Sequence, residues 1–262
     1  KYEDGFDITS GEKVDRAIWS FRGEAVLLLA ALCDLSAANK ERGDKTGMCY
    51  KINVLGTRNI SKACQKNGKY LIHVSTDTVF GGDKNLPYTE EDSPNPIEWY
   101  GQTKLWAEQE VLASGCRAVI VRFAYPFRAR FEQKKDFVRK IIDQLKHGEK
   151  ISMFGDTVFT PTFIDDIAPA LGTILTKKPT GIFNVVGSTS LSPFTAACQV
   201  ARSFGLDETL VKKQKLDDYL ASGGRPYPRY AGLSNARLKR ELGVSMRTFS
   251  EALLEMRRQL DG

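Results

Sequence analysis

Short apolar runs of strand length recur along the chain and alternate with longer segments of helical periodicity. Four runs are near-continuously apolar, as buried parallel strands are: residues 25–31, 70–74, 117–121 and 181–185. Segments with apolar residues three and four positions apart lie between them, among them 46–65. This alternation predicts an α/β fold with a doubly wound, Rossmann-like parallel sheet.

Helical periodicity also predicts which side chains face inward near the two ends of the chain. A helix beginning at about Glu12 places four residues on its apolar face: Val14, Ala17, Ile18 and Phe21. The last two predicted helices contribute four more inward residues: Leu238, Leu242, Leu253 and Met256. A further helix begins near Asp165 and Asp166, where acidic side chains are expected to cap free amides rather than to bind metal or to act as catalysts.

Composition and charge exclude several classes of protein. The 262 residues are 42% hydrophobic and 27% charged, which is ordinary for a globular chain. No apolar run approaches the ~20 residues of a membrane span and no signal peptide is visible, so we expect a cytoplasmic protein without membrane segments. The net charge of +6 suits an anionic ligand. No block of like charges and no nucleic-acid motif appears, so we predict no nucleic-acid binding.

The cysteines and histidines do not predict a metal site. Five cysteines are scattered without a Cys-x-x-Cys pair, which favours reduced buried thiols over disulfides or zinc ligands. The two histidines are His73 and His147. His73 lies in a predicted strand, where a packed or hydrogen-bonded role is expected.

Tyr100 and Lys104 begin a segment of helical periodicity and lie four positions apart. Four residues are close to one helical turn, so the two side chains share a face. A free tyrosine has a pKa near ~10, and a cation close by favours its ionised form and eases proton transfer. Among the nine tyrosines, only Tyr100 has a lysine four positions later. Taken alone, the pair fits the start of a surface helix equally well.

The strand at 70–74 ends in the polar sequence Ser75-Thr76-Asp77. Open α/β sheets bind ligands at the carboxyl ends of their strands, and a hydroxyl there can bind a substrate oxygen. A simple turn after a strand has the same residue types. Together with the Tyr100/Lys104 pair, the polar strand end predicts a catalytic site, in which Thr76 binds the oxygen that Tyr100 protonates.

These residues carry a resemblance to a known family. The sequence reads Ser-Thr-Asp-x-Val-Phe-x-Gly from Ser75, then Tyr-x-Glu-x-Asp-x-Pro-x-Pro-Ile-x-x-Tyr-Gly-x-x-Lys-x-x-x-Glu from Tyr88 to Glu108. It resembles the extended short-chain dehydrogenases, and among them the dTDP-4-dehydrorhamnose reductase group, from about Asp7 to Leu242. Thr78 departs from the pattern because the family usually has tyrosine there, which bears on substrate fit.

The resemblance implies a reaction and its residues. The catalytic threonine, tyrosine and lysine of the family map onto Thr76, Tyr100 and Lys104. The implied reaction is reduction of a 4-keto deoxysugar nucleotide by NADPH or NADH. Tyr100 donates a proton, Lys104 lowers the pKa of Tyr100 and binds ribose, and Thr76 fixes the carbonyl oxygen. A sugar-nucleotide epimerase or dehydratase and a non-catalytic, cofactor-binding regulatory subunit remain alternatives. Retention of all three residues argues against the regulatory subunit.

The resemblance also implies a domain plan and binding residues. Residues 1–130 form the dinucleotide-binding part and 131–262 mainly a small carboxyl-terminal α/β substrate lobe, with 160–185 returning to the first part. The implied cofactor-binding residues are Asp7, Ile8, Leu29, Ala30, Ala31, Asn53, Tyr100, Lys104 and Tyr125. The implied substrate-binding residues are Ser75, Thr76, Asp77, Val79 and Arg225. The partner is a nucleotide sugar, and a homodimer is one option for the assembly.

Some of these assignments have reasons in the residues themselves. Ala30 and Ala31 are small enough for close approach to a ligand, although core packing would explain each alanine equally well. An asparagine within a helix, such as Asn53, is unfavourable unless its amide has a function, and by resemblance it supports the lysine and a water. Arg128 and Arg130 have the fork geometry that matches a diphosphate, but solvated surface arginines are the better interpretation of each.

The amino terminus departs from the family pattern. The family has a strand, a Gly-x-x-Gly-x-x-Gly turn, a helix and a further strand before the residue that matches Asp7, and these elements are absent from the sequence. A βαβ unit takes ~30 or more residues. We therefore hypothesise that the sequence is a piece of a longer chain. An intact mass near 29.2 kDa would contradict this hypothesis.

A chain that begins at Lys1 should bind NADPH weakly or not at all. The glycine turn and the helix terminus after it supply the main site for the pyrophosphate of a dinucleotide. Isothermal titration calorimetry on a protein of verified mass measures this affinity. Micromolar binding would show that the remaining contacts suffice.

Overall fold

The computed structural model describes residues 6–131, 133 and 135–261. The chain folds into two compact units. The first unit comprises the described residues of Lys1–Phe80 together with Ser93–Arg122 and Ile174–Phe183. The second comprises Gly81–Asp92 and the described residues of Phe123–Thr173 and Asn184–Gly262. The domain boundaries predicted from the sequence lie at residues 130, 160 and 185, whereas the boundaries between the two units lie at other positions. The plan therefore stays a prediction.

The helices and strands follow in chain order. The α-helices are α1 (Gly11–Ser20), α2 (Leu35–Lys40), α3 (Met48–Tyr50), α4 (Thr57–Lys66), α5 (Trp99–Ala113), α6 (Phe137–Lys146), α7 (Ile164–Lys177), α8 (Pro193–Phe204), α9 (Leu216–Ala221), α10 (Ala236–Leu242) and α11 (Phe249–Asp261). The strands are β1 (Ala25–Leu28), β2 (Tyr70–Thr76), β3 (Ala118–Phe123), β4 (Pro126–Phe127), β5 (Ile151–Phe154), β6 (Thr162–Phe163), β7 (Gly181–Asn184) and β8 (Val211–Gln214). A π-helix spans Lys51–Gly56, and 3-10 turns span Asp77–Val79 and Glu208–Leu210.

The first unit is built on a sheet with strand order β1-β2-β3-β7. β1 pairs in parallel with β2, with Ala25 opposite Tyr70 and Leu28 opposite His73. Every residue of β2 except Val74 is buried, as a strand covered on both faces requires. The core cluster of this unit draws on α1, the π-helix, α4, α5 and the first three strands. The predicted α/β class is confirmed, and β2 delivers its polar carboxyl end to the site.

The π-helix at Lys51–Gly56 interrupts what would otherwise be one long helix from α3 to α4. Thr57 Oγ1 donates to the Asn53 carbonyl at 2.7 Å, a hydrogen bond that competes with the helical ladder. Gly56 allows close packing, because a Cβ there would lie 2.6 Å from Ile8 Cδ1. π-bulges of this kind are frequent at functional sites, and this one turns Asn53 into the interior.

A fully buried ion pair joins α5 to β3. Glu108 accepts from Arg122 Nε at 2.9 Å and from Arg122 Nη2 at 2.7 Å, and the two side chains are 2% and 1% exposed. Ser75, in β2, donates to Glu108 at 2.5 Å. The Arg122 guanidinium also lies 5.0 Å from the Phe80 ring centroid. These contacts fix α5 against two neighbouring strands.

The second unit has two parallel strand pairs, β4 with β6 and β5 with β8. Its core is rich in aromatic rings, five of which form edge, tilted or stacked contacts with one another: Phe127, Phe137, Phe159, Phe163 and Phe249. α10 and α11 bury the four inward residues predicted for the last two helices. That prediction is confirmed.

Three local predictions differ from the structure. The first strand ends at Leu28 rather than at residue 31, so Leu29 and Ala30 are exposed. Phe21 was predicted to face inward but lies after the end of α1 and is 44% exposed. Asp166 accepts hydrogen bonds from Arg247, in the second unit, because that guanidinium lies beside the start of α7.

Three further findings concern membrane spans, cysteines and metal sites. No helix in the described ranges is both long and apolar enough to cross a membrane. The five cysteines are free, three of them buried, whereas Cys33 is exposed. Among the residues that the structure describes, no group of three or more His, Cys, Asp or Glu side chains is placed to hold a metal ion.

Replacing Glu108 by alanine should lower the free energy of unfolding by about 3–5 kcal/mol, because it leaves Arg122 buried without its partner. The matched control is Glu110→Ala on the same helix, whose ion pair with Arg58 is partly exposed and contributes less than about 1 kcal/mol. Urea unfolding of both variants measures the difference. Equal losses would show that the buried pair does not fix α5.

Candidate active site

Lys104 is 2% exposed and projects from α5 toward β2. Its Nζ donates to the Val74 carbonyl at 2.7 Å and lies 3.5 Å from His73 Nε2. Burial lowers the pKa of Lys104 to about 8, while the nearby Glu108 carboxylate acts to raise it. An ammonium has three protons, and the described residues supply acceptors for two. The third is available to a ligand.

Tyr100 lies one helical turn before Lys104 and is partly buried. Burial raises the pKa of Tyr100, and Cys33 and Asp77 act in the same direction, while a hydrogen bond with Thr76 opposes them. The prediction that Lys104 lowers this pKa differs from the structure, because the ammonium is directed at β2 and burial dominates. The phenol is therefore protonated at neutral pH.

The polar residues after β2 form a compact hydrogen-bonded turn. Thr76 Oγ1 donates to Asp77 Oδ1 at 2.9 Å. The Thr78 backbone N–H and hydroxyl both donate to Thr76 Oγ1 at 3.3 Å. Burial raises the pKa of Asp77 to about 7, and the neighbouring Glu98 adds to this effect. A carboxyl group whose pKa is raised well above its usual value thus lies beside the Thr76 hydroxyl.

Gly101 lets α5 approach this turn closely. A Cβ at Gly101 would lie 2.1 Å from the Thr78 carbonyl oxygen, far inside any permitted contact. Glycine therefore allows the helix that carries Tyr100 to lie directly against the turn that carries Thr76 and Asp77. The structure places Thr76 and Asp77 in this turn, and Tyr100 and Lys104 one helical turn apart on α5, while the catalytic roles of these residues stay predictions.

Ser75 and Asn53 have partners that differ from their predicted roles. The Ser75 hydroxyl donates to Glu108, so it is committed to the ion pair that anchors α5 rather than turned to a substrate. The Asn53 amide accepts from Leu32 N at 2.8 Å and donates to Leu32 O at 3.1 Å and to Thr103 Oγ1 at 3.0 Å. Asn53 thus fixes the segment after β1, and its partners are not Lys104.

The remaining predicted cofactor residues of the first unit lie around the end of β1 and before α1. Leu29 is 62% exposed, Ala30 is exposed and Ala31 is half-buried. Asp7 accepts from the Thr9 backbone and side chain, and these hydrogen bonds lower its pKa. Ile8 is buried, so its side chain packs in the core and only its backbone is left for a ligand. Val79, predicted to bind substrate, is fully buried as well.

Two predicted residues belong to the second unit. Tyr125 has a positive φ of 41°, a strained backbone for a bulky residue, and its hydroxyl lies 2.9 Å from the Tyr227 hydroxyl. The Arg225 guanidinium lies 5.8 Å from the Tyr227 ring centroid. Arg130 donates to the Gln259 carbonyl at 2.7 Å. Tyr227, two residues after Arg225, thus contacts both of the predicted residues.

Glu108 positions α5, a role that was not predicted from the sequence. It lies four positions after Lys104 and so continues the face of Tyr100 and Lys104. That spacing in a buried helix was the available signal. His73 was assigned a packed or hydrogen-bonded role, and its contact is with Lys104.

Comparison with known proteins gives a consistent result. Residues 2–261 match the family model described as the RmlD substrate binding domain. The chain is 31% identical over 250 residues to the dTDP-4-dehydrorhamnose reductase of Mycolicibacterium smegmatis, covering 94% of this chain and 73% of that protein. The chain belongs to the dTDP-4-dehydrorhamnose reductase family. The resemblance predicted from the motifs is confirmed.

Two further relatives extend the comparison. The crystal structure of dTDP-4-dehydrorhamnose reductase from Bacillus anthracis in complex with NADP superposes with a TM-score of 0.87 and is 26% identical, covering 97% of this chain and 87% of that one. The chain is also 30% identical over 204 residues to methionine adenosyltransferase 2 subunit beta of Bos taurus, covering 76% of this chain and 60% of that protein. The name of this second relative is that of a subunit rather than of a reductase.

Three residues of the candidate site, Lys104, Leu29 and Ala30, fit a dinucleotide. The buried Lys104 ammonium has a proton without an acceptor in the described part of the chain, which suits a ribose hydroxyl. Leu29 and Ala30 are exposed directly after β1. Lys104 and these two residues are the ones that would hold the cofactor.

Replacing Gly101 by alanine should lower the free energy of unfolding by about 1–3 kcal/mol, because the added methyl group overlaps the Thr78 carbonyl and must displace α5. Gly172→Ala is the matched control. Gly172 lies in α7 with open space around its Cα, so alanine there should add about 0.5–1 kcal/mol. Thermal unfolding of the two variants measures both effects. A neutral Gly101→Ala would contradict the close approach.

Proposed function

We propose that this chain reduces the keto group of a nucleotide sugar with NADPH, as a dTDP-4-dehydrorhamnose reductase does. The observation that carries the proposal is the cluster of Tyr100, Lys104 and Thr76 at the carboxyl end of β2, in a chain that belongs to this family. The preferred substrate is a 4-keto 6-deoxysugar bound to a nucleoside diphosphate.

Each residue of the cluster has a role that its environment supports. NADPH, when bound, supplies the hydride for the carbonyl carbon. Tyr100 donates a proton to the developing alkoxide, and its raised pKa keeps that proton in place until the negative charge appears. Lys104 supplies a buried positive charge one helical turn after Tyr100, and its remaining N–H binds the cofactor ribose. Thr76 orients the substrate oxygen.

The proposal extends to the cofactor preference, two further ligand contacts, the location and the assembly. NADPH is favoured over NADH because the Bacillus anthracis reductase is bound to NADP. We propose Arg225 and Tyr125 of the second unit as substrate and cofactor contacts, on the resemblance of their motifs. A cytoplasmic location, a homodimer and the lack of nucleic-acid binding are likewise proposed, the last because the net charge of +6 is dispersed along the chain.

A second candidate is a non-catalytic, cofactor-binding subunit of another enzyme. The observation that favours it is the relative from Bos taurus, whose name makes it a subunit of methionine adenosyltransferase. The grouping of Thr76, Tyr100 and Lys104 favours the reductase. A sugar-nucleotide epimerase or dehydratase of the same fold would give an isomerised or dehydrated product without net use of cofactor.

The direct test is turnover by the full-length protein. NADPH oxidation is followed at 340 nm with a panel of 4-keto sugar nucleotides, and the products are separated by chromatography. The reductase assignment predicts one NADPH oxidised for each sugar reduced. Product formation without NADPH oxidation would establish the epimerase or dehydratase, and binding without any product would establish the subunit.

In the full-length protein, Tyr100→Phe should reduce kcat by ~10²–10⁴-fold while cofactor affinity is unchanged, because only the proton donor is lost. Lys104→Met should reduce kcat and also weaken cofactor binding, because the lysine serves both the proton transfer and the ribose contact. Steady-state kinetics and fluorescence titration with NADPH measure these quantities.

The matched control is Tyr70→Phe, at the opposite end of β2. Its hydroxyl donates to the Pro179 carbonyl at 2.5 Å, about 20 Å of extended strand away from Thr76. This variant should keep the parent kcat. A Tyr100→Phe enzyme that works within a few-fold of the parent would remove Tyr100 from the role of acid.

A further inference from the structure

His73 lies in the middle of β2, and its imidazole is 1% exposed. Its Nε2 lies 3.5 Å from Lys104 Nζ, and the same ammonium donates to the carbonyl of the next residue, Val74, at 2.7 Å. β2 therefore offers the buried lysine two acceptors from consecutive residues, one in a side chain and one in the backbone.

The protonation state of the imidazole follows from this contact. An ammonium can only donate, so the Nε2 that faces it must present a lone pair. The proton of the neutral ring is then on Nδ1, and Nδ1 has no hydrogen-bond partner in the described part of the chain. Burial, together with the charge of Lys104, holds the pKa of His73 well below its usual value, so the ring is neutral at physiological pH.

Packing alone does not explain a histidine at this position. Its neighbours Leu71 and Ile72 are fully buried apolar residues, and a leucine would fill a similar volume. The imidazole instead leaves a buried N–H unsatisfied, which is destabilising. The feature that a leucine would lack is the Nε2 lone pair directed at Lys104.

We propose that His73 is a positioning residue for Lys104: its Nε2 and the Val74 carbonyl hold two of the three ammonium protons and direct the third at the ligand. The identity of that ligand as the cofactor ribose rests on the proposed function. The hydrogen bond between His73 and Lys104 does not rest on the proposed function, because it is a property of the ligand-free protein.

Other groups also act on Lys104 and must stay constant in any test. Glu108, four residues later on α5, favours the charged form of the lysine, as do Cys33 after β1 and Cys49 in α3. Glu108 is bound by Arg122 and Ser75, and its geometry does not involve His73. Substitutions at position 73 therefore change one acceptor and leave these groups in place.

The test compares His73→Leu, which removes the acceptor, with His73→Gln, whose side-chain oxygen reaches the position of Nε2. The pKa of Lys104 is measured by NMR in ligand-free full-length protein with isotope-labelled lysine side chains, with Lys104→Met used to assign the signal. The parent value should be near 8. His73→Leu should lower it by roughly 1 or more, because the buried charge loses an acceptor, and His73→Gln should restore it.

The second readout is kinetic. His73→Leu should reduce kcat/KM for NADPH on the order of 10-fold to 100-fold and raise KM for NADPH, and His73→Gln should recover most of this loss. If His73→Leu does not fold, His73→Asn replaces it, since the shorter amide keeps polarity but does not reach Lys104. Thermal unfolding of each variant verifies folding.

The outcomes separate the two proposals. Equal Lys104 pKa values in the parent and both variants would overturn the positioning role, and so would equal losses in the Leu and Gln variants. If the pKa of Lys104 responds as expected but no keto sugar nucleotide is reduced, the positioning of Lys104 stands and the reductase function fails.

Discussion

The buried Glu108–Arg122 ion pair is the constraint on which the site depends. Two charged groups removed from water need close hydrogen-bonding partners, and here two guanidinium bonds and the Ser75 hydroxyl converge on one carboxylate, while Arg122 Nη1 has no hydrogen-bond partner among the described residues. Because Glu108 lies two turns after Tyr100 and one after Lys104, fixing Glu108 fixes the rotation of α5. The face that carries Tyr100 and Lys104 is thereby held against the end of β2.

The same exclusion of water sets the protonation states in the site. Burial lowers the pKa of Lys104 and raises those of Asp77 and Tyr100, so each shift favours the neutral form. A site of this kind holds a phenol proton firmly until charge develops on a substrate. Lys104 is the group that must keep its charge, and it is the one for which the structure supplies acceptors from β2.

The strands and long helices of the fold could be predicted from the sequence because apolar runs and helical periodicity report burial directly. The residues at which helices and strands end were harder to predict from the sequence. Phe21 has an apolar side chain, yet it lies after the end of α1, and periodicity does not show where a helix stops. The first apolar run continues to Ala31, although the strand ends at Leu28. A strand ends where its hydrogen bonds to the neighbouring strand end, and composition does not show that position.

For the candidate site, the positions of some residues could be predicted, but the hydrogen-bond partners of others could not. The positions of Thr76, Asp77, Tyr100 and Lys104 could be predicted because each lies within a few residues of a recognisable strand end or helix start. The roles of Ser75, Asn53 and Asp166 could not, because their partners Glu108, Leu32 and Arg247 are 33, 21 and 81 residues away in sequence. The direction of the Tyr100 pKa shift could not be predicted either. It depends on the burial of the phenol, and the spacing of residues along a helix does not show burial.

The Tyr100–Lys104 site is proposed to carry out net reduction of a sugar carbonyl. The decisive measurement supplies the full-length protein with a 4-keto sugar nucleotide and with NADPH deuterated at the transferable position of the nicotinamide, and locates the deuterium in the product by NMR. We expect one deuterium on the sugar carbon that bears the new hydroxyl, with one cofactor oxidised for each product. A converted sugar without deuterium at that carbon would contradict it.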